Sequence, residues 1–287
     1  MSPISNKLSV FKTIPETFPE AGVHVVVEDR PIDIDTVSLG GGIESYIPPF
    51  VIDEPVASAI VDKVIWSETP AFQPGDILSS FAGPNAEYAI VAQGLLQTAG
   101  FRKVHNPNNM PLSYFIGFLG MPGSTGSANL SEAKRSSYRR LPVPVSSKEK
   151  VDYVKSIGFD EAFNYKEESP RNALKRLASD GIDIYWDKVG AEHLEAALDS
   201  CKNGARVIAF GSINDYNRKP YETYGIRNTY NLISKRIRME GFIVDLSPKN
   251  YHDMLTKLAP LFAIGQIQGT EDVYNGIDRV PEALVGL

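Results

Sequence analysis

The chain has 287 residues, a net charge of −6 and a pI near 5.4, with 43% hydrophobic and 22% charged residues. That profile is enough to bury a real core and fits two domains. Its acidity argues against a nucleic-acid or anionic-membrane partner but leaves room for a small anionic ligand in a local basic pocket. The single cysteine, Cys201, cannot form an internal disulfide, the N-terminal MSPISNKLSVFK lacks the apolar core of a secretory signal, and no stretch reaches the ~20 apolar residues of a membrane span. A cytoplasmic protein is expected.

Residues 1–110 hold 11 of the 20 prolines, which breaks this half into short strands and turns. His24–Glu28 (HVVVE), Ala57–Trp66 and Glu87–Ala92 (EYAIVA) are expected strands, with a turn at Pro74-Gly75-Asp76. Gly120-Met-Pro-Gly-Ser-Thr-Gly126 is glycine-rich but does not lie between a clear strand and a helix, so by spacing it reads as a plain loop. The segment Ser124–Ser147 carries Lys134, Arg135, Arg139 and Arg140, then Pro142 and Pro144. It matches neither a helix nor a central strand. Because proline cannot donate to a ladder, residues 141–145 are an edge strand at best.

The texture changes near residue 147. Helical spacing appears over 148–157, through Val151 and Val154, and over 170–179, through Ala173, Leu174 and Leu177. Ile182–Asp187 (IDIYWD) is an expected strand. Ala191–Lys202 is an expected helix with Leu194, Ala197, Leu198 and Cys201 on one face, stopped at Asn203-Gly204. Ala205–Phe210 (ARVIAF) is the continuous apolar run of a buried parallel strand, closed by Gly211. Strand, helix and strand at this spacing make a βαβ unit, so a β-rich half leads into a doubly wound α/β half.

The four histidines, at 24, 105, 193 and 252, are scattered, and neither HExxH nor CxxC occurs, so no metal site is expected. His193 reads as a helix-surface residue and Cys201 as a packed core residue. There is no GxSxG elbow and no GxxxxGK[ST] loop. In open α/β sheets ligands bind beyond the C-terminal strand ends, where Asp187-Lys-Val-Gly190 and Gly211-Ser-Ile-Asn-Asp-Tyr-Asn217 fall. By residue type alone these segments are as much ordinary turns as a ligand site.

Several blocks coincide in order with one family. They are Asn6-Lys7, Arg30-Pro-Ile-Asp33, Phe72-Gln-Pro-Gly-Asp76, Leu119-Gly-Met-Pro-Gly123, Gly158-Phe-Asp-Glu-Ala-Phe-Asn-Tyr-Lys166, Gly181-Ile-Asp-Ile-Tyr185, His193-Leu-Glu-Ala-Ala-Leu198 and Arg236-Ile-Arg-Met-Glu-Gly-Phe-Ile-Val244. On these the chain resembles the zinc-free medium-chain dehydrogenase/reductases, in the branch of prostaglandin reductases, leukotriene B4 dehydrogenases and alkenal double-bond reductases. The resemblance implies a β-rich GroES-like substrate domain over 1–115, an incomplete Rossmann-type cofactor domain over 116–250, and a return to the first domain over 251–287. It implies NADP(H) as cofactor, a small-molecule substrate, no metal, and reduction of the double bond of α,β-unsaturated carbonyl compounds, in enal detoxification or secondary metabolism. A homodimer is compatible with it.

Residue by residue, the resemblance makes Tyr216 the donor to the carbonyl oxygen, where charge develops as hydride reaches the β-carbon. It assigns Lys150 and Tyr165 to the 2′-phosphate. Phe210, Gly211, Ser212, Ile213 and Tyr216 are assigned to the nicotinamide half, together with Phe242, Ile243 and Val244. Without it, Tyr216 is an exposed loop tyrosine and Lys148-Glu149-Lys150 a solvated helix start.

The chain also departs from the pattern. After Gly42 the family continues through a strand and a Y-x-R-G-R-M segment, whereas here Ile43 runs into Glu44-Ser-Tyr-Ile-Pro-Pro-Phe50. Residues 126–147 stand where the family has a helix, a strand, the A-x-G-A-V-G phosphate loop, its helix and most of the next strand, so neither that loop nor the sheet's central first strand has a counterpart. Lys188 replaces an asparagine and Ala191 a glycine, and Val285-Gly-Leu287 precedes a family segment that returns to the nucleotide. Two readings follow: a reductase with a rebuilt loop, or a truncated, catalytically weak or inactive relative acting only through protein contacts.

Overall fold

A computed structural model of the protein describes residues 5–15, 18–31, 51–133, 142–216 and 218–286. The departure at Ile43–Phe50 and the basic residues Lys134, Arg135, Arg139 and Arg140 lie outside the described residues. The chain forms two compact units, Met1–Ser127 with Asp245–Leu287, and Ala128–Val244.

In the first unit β1 (Lys7–Phe11) pairs antiparallel with β2 (Val25–Asp29), in register from Lys7↔Asp29 to Phe11↔Val25. A second antiparallel sheet runs β3 (Ala57–Lys63), β4 (Ile77–Pro84), β5 (Arg102–Lys103). The strands expected at 24–28 and 57–66 therefore form, within a few residues. The one expected at 87–92 does not. There the Glu87 N–H donates to the Lys7 carbonyl at 2.9 Å and the Tyr88 N–H to Asn6 Oδ1 at 3.0 Å, leaving Tyr88 and Ile90 exposed. The strand lies just before it, in β4, whose buried Ser79 and Ser80 hide the apolar alternation.

After α1 (Gln93–Thr98), the glycine-rich Gly120–Gly126 segment proves to be the start of a helix, α2 (Met121–Ala133), and not a loop. Its glycines serve close packing. A Cβ at Gly120 would meet the Ile116 carbonyl at 2.5 Å, and one at Gly123 would collide with the Phe118 carbonyl.

The second unit opens with β6 (Pro142–Val145), α3 (Lys148–Ser156), β7 (Glu161–Asn164) and α4 (Pro170–Leu177). It continues with β8 (Ile182–Asp187), α5 (Ala191–Ser200), β9 (Cys201–Ala209), α6 (Tyr230–Ser234) and β10 (Arg238–Gly241). β6 and β7 are parallel, from Pro142↔Glu161 to Val145↔Asn164. β8, β9 and β10 form a separate parallel sheet in the order β10-β9-β8. Among the described residues β6 has a ladder partner on one side only, consistent with its prolines.

Ser147 and Ser169 cap α3 and α4 by accepting from the N–H groups of Lys150 and Asn172. The core beneath α5 gathers Leu174, Ile182, Leu194, Ala197, Leu198, Val207 and Ile237. Cys201 joins this core, but as the first residue of β9, because α5 ends at Ser200. Asn203-Gly204 is likewise not a helix stop. It sits in an irregularity of β9, where the partner of β8 jumps from Cys201 to Arg206, and the Gly204 N–H donates to the Lys235 carbonyl at 2.7 Å.

The chain returns to the first unit through α7 (Pro248–Ala263) and α8 (Val280–Val285). Tyr251 and Met254 of α7 pack on Met110, Phe115 and Leu119. Removing the Leu119 side chain, fully buried there, should cost about 2–5 kcal/mol.

Candidate active site at the strand ends

Parallel strands place all their C-terminal ends on one edge of a sheet, and the segments singled out in the sequence follow those ends. In the smaller sheet, β6 runs into Ser146-Ser147 and the first turn of α3, which holds Lys150. β7 runs directly into Tyr165, whose N–H donates to the Val145 carbonyl of β6 at 3.0 Å. Lys150 and Tyr165 therefore sit beyond the ends of two neighbouring strands, and both are exposed. Lys148 pairs with Asp152 at 2.6 Å, whereas Lys150 makes no ion pair among the described residues. A lysine with no carboxylate partner, next to a helix N-terminus, suits a phosphate.

The larger sheet carries the other group. Phe210 follows β9 and donates its N–H to the Asp187 carbonyl at 2.9 Å. Phe242 follows β10 and donates to the Ala209 carbonyl at 2.8 Å. Ile243 is exposed, and Val244 closes the segment half-buried.

Two loops lock together above β8 and β9. The N–H groups of Ile213 and Asn214 donate to the carbonyls of Lys188 and Val189 at 3.1 and 3.2 Å. Glycines make this approach possible: a Cβ at Gly190 would lie 2.5 Å from Ser212 Oγ, and one at Gly211 would lie 3.1 Å from both the Lys188 carbonyl and the Tyr216 hydroxyl.

Tyr216 is 65% exposed along its length, yet its hydroxyl is held. The Ser212 N–H donates to the phenolic oxygen at 3.2 Å, and Asp215 accepts from Ser212 Oγ at 3.2 Å. With its oxygen accepting, the phenolic hydrogen remains available to a ligand.

Sequence reasoning placed Asp187 in a strand-end segment but gave it no role. Its carboxylate is buried and accepts the Gly190 N–H at 2.9 Å, which fixes the turn that the Gly211–Tyr216 loop rests on. Burial pushes this carboxyl above its ordinary pKa, against the lowering effect of the Gly190 and Val189 N–H donors. The sequence signal was an aspartate closing an apolar strand just before a glycine.

His193 departs from its expected place on a helix surface. It is half-buried and meets the Tyr165 ring, and burial lowers its pKa. Burial also pushes the Cys201 thiol up to about 11, which makes it a poor nucleophile. Among the described residues no group of three or more His, Cys, Asp or Glu could hold a metal ion. Nor is any described helix long and apolar enough to cross a membrane.

Comparison with known proteins bears on the family and the fold. The zinc-binding dehydrogenase family matches residues 126–260. The NADP-dependent oxidoreductase RED1 of Cochliobolus heterostrophus is 33% identical over 334 positions, covering 98% of this chain and 94% of that protein. The NADP(+)-dependent 2-alkenal reductase of Nicotiana tabacum is 38% identical, covering 96% of this chain and 87% of that protein. Among solved structures, CurA from Vibrio vulnificus, determined in complex with NADPH, superposes with a TM-score of 0.80 at 22% identity, covering 98% of this chain and 95% of that one. This superposition establishes the fold, a GroES-like part with a Rossmann-like part. The 334 positions aligned with RED1 exceed the 287 residues here by 47, so the alignment spans gaps on this side. On this identity and coverage, the chain belongs to the medium-chain dehydrogenase/reductase family, in its zinc-free alkenal reductase branch.

Proposed function

We propose that this protein is an NADPH-dependent reductase of the carbon–carbon double bond in α,β-unsaturated carbonyl compounds. The observation that carries the reading is the Tyr216 hydroxyl, held at the end of β9 by the Ser212 N–H with its hydrogen left to donate. NADPH, when bound, supplies the hydride that reaches the β-carbon of the substrate. Tyr216 donates to the carbonyl oxygen and stabilises the enolate-like charge that develops there.

The chain's residues fit the cofactor at both of its ends. Lys150, free of ion pairs among the described residues, and the exposed Tyr165 would hold the 2′-phosphate. The segments Phe210–Tyr216 and Phe242–Val244, at adjacent strand ends, would lie along the nicotinamide half. The domain assignment that goes with this reading is a substrate domain over 1–115, a cofactor domain over 116–250 and a return over 251–287. A cytoplasmic setting is supported by the lone, buried Cys201. A homodimer is supported by the outer edge of β10, whose four residues are all exposed. Light scattering tests the dimer directly.

One observation favours the second reading, a truncated relative acting only through protein contacts. Among the described residues β6 and β8 share no ladder, and neither the family's phosphate loop nor the sheet's central first strand has a counterpart in the sequence. The deciding experiment follows NADPH oxidation with a 2-alkenal and a simple enone, alongside NADPH binding by fluorescence. Turnover supports the reductase. Absence of both turnover and binding establishes the truncated relative.

A further inference from the structure

The loop that follows β9 exposes Ile213 and Tyr216, and its hold on the Tyr216 hydroxyl depends on the turn at 212–215 staying closed. Asp215 closes that turn twice. Its N–H donates to the Ser212 carbonyl at 2.9 Å, and its carboxylate accepts from Ser212 Oγ at 3.2 Å. Ser212 is thereby fixed with its own N–H directed at the phenolic oxygen, 3.2 Å away. A charged acceptor makes the stronger bonds within such a turn.

The same carboxylate reaches out of the loop. Its Oδ1 accepts the Tyr224 N–H at 3.3 Å and stands 3.8 Å from Arg218 Nε. Tyr224 is half-buried, and its hydroxyl donates to Glu195 Oε2 at 3.0 Å. Glu195 is a buried carboxylate on α5. It also accepts from the Arg227 N–H at 3.3 Å and from Arg171 Nη2 at 3.4 Å, so its charge is compensated. Burial first, and then the Glu195 carboxylate, raises the Tyr224 pKa, so the Tyr224 hydroxyl remains the donor. A chain of hydrogen-bonded residues therefore runs within the second unit from Glu195, on a helix packed into the core, through Tyr224, Asp215 and Ser212 to Tyr216.

We propose that Asp215, anchored through Tyr224 on Glu195, is a positioning residue for Tyr216. It holds the turn in the form in which the Ser212 N–H occupies the phenolic oxygen and leaves the phenolic hydrogen to the substrate. Resting on the reading of Tyr216 as the donor to the carbonyl oxygen, this role needs no contact between Asp215 and substrate or cofactor.

Amide hydrogen exchange of the full chain, followed by NMR, measures the turn without any turnover. The Ser212 amide should exchange about tenfold faster in Tyr216→Phe, which removes its acceptor, and at least as fast in Asp215→Ala and Tyr224→Phe. The amides of Val207 and Ile208 in the central strand β9 should keep the parent rate. Asp215→Asn keeps an acceptor for the Tyr224 N–H and should restore slow exchange. A Ser212 rate that stays at the parent value in Asp215→Ala or in Tyr224→Phe overturns the proposal. Equal acceleration of the β9 amides also overturns it, because it marks a general loosening of the fold. Enone kinetics gives a second reading. Asp215→Ala should lower kcat about tenfold with KM changed far less, and should add little to Tyr216→Phe. An active parent whose kcat survives Asp215→Ala overturns the role. An inert parent defeats the reductase reading instead, and Ser212 exchange then decides whether Asp215 holds the turn.

Discussion

The Tyr165 ring, just past β7, meets the His193 imidazole of α5 edge-on, with centroids 5.6 Å apart and planes at 80°. The contact links elements of two parallel sheets that share no ladder among the described residues. It also ties Tyr165, which the proposed reading gives to the 2′-phosphate, to α5, the helix that follows β8. An aromatic pair of this geometry contributes about 0.5–1.5 kcal/mol beyond its buried area.

The same contact predicts an acid limb in stability. Burial lowers the His193 pKa below its ordinary 6.5, while Glu192 opposes the shift. The unfolded chain therefore binds this proton more readily than the folded one. The stability contribution is fully present above about pH 6.5 and is lost as the pH falls from there through the lowered folded value. His193→Phe keeps a ring for Tyr165 and removes the titration. Urea midpoints measured at stepped pH should decline less below pH 6.5 in the variant, and an identical decline would show that His193 does not contribute.

Ala191 is strained. It begins α5 with φ at +47°, in the left-handed region that disfavours a side chain, and the family has glycine there. The left-handed conformation costs a residue with a Cβ roughly 1–2 kcal/mol, and part of that is offset because glycine loses more entropy on folding. Ala191→Gly should therefore stabilise the protein by about 0.5–1 kcal/mol, and Ala191→Val should destabilise it. Denaturant unfolding checks both, and a destabilising glycine would show that the strain is not real.

The second unit was largely legible in the sequence because its apolar positions follow the period of each element. Ala173, Leu174, Ile182, Ile184, Leu194 and Leu198 are all buried where the helical or strand pattern put them. The errors came where tertiary contacts override local pattern. Cys201 kept the helical spacing yet joined β9, because the strand begins where α5 ends. Gly120 and Gly123 looked like loop residues, but their missing side chains let α2 start against the backbone of Ile116 and Phe118. In the site, Tyr216 and Lys150 came from matching a known pattern. The Asp187 turn beneath the Tyr216 loop depends on a hydrogen bond that only the folded chain displays.

Lys150 predicts the choice of cofactor. With no ion pair of its own among the described residues, its charge is available to a 2′-phosphate that NADH lacks. NADPH should bind about ten- to a hundredfold more tightly than NADH, the range for one or two charge-assisted contacts. Lys150→Ala should remove most of that preference and leave NADH binding unchanged. Absolute affinity should be weak, because the sequence has no counterpart of the family's phosphate loop, whose N–H groups donate to the pyrophosphate. Fluorescence titration of both cofactors measures all of this, and equal affinities in the parent protein would defeat the assignment.

Tyr216 and Gly211 together predict the chemistry. The phenolic oxygen accepts the Ser212 N–H at 3.2 Å, and Gly211 leaves just enough room for it. Tyr216→Phe keeps the ring and removes the donor, so turnover of an enone should fall by roughly ten- to a thousandfold. KM should change far less, because the hydroxyl matters most once charge develops on the carbonyl oxygen. Gly211→Ala attacks the same point from the other side: its Cβ would stand 3.1 Å from both the phenolic oxygen and the Lys188 carbonyl. The backbone carbonyl has less freedom to move than the exposed tyrosine, so the phenol should be displaced. Gly211→Ala should therefore also lower turnover, while the double variant with Tyr216→Phe should be little worse than Tyr216→Phe alone. Steady-state kinetics of the three variants separates the cases. If Tyr216→Phe retains full turnover, the tyrosine is a bystander and another donor serves the oxygen. If the two losses simply add, Gly211 acts through the strand-end loop and not through the tyrosine.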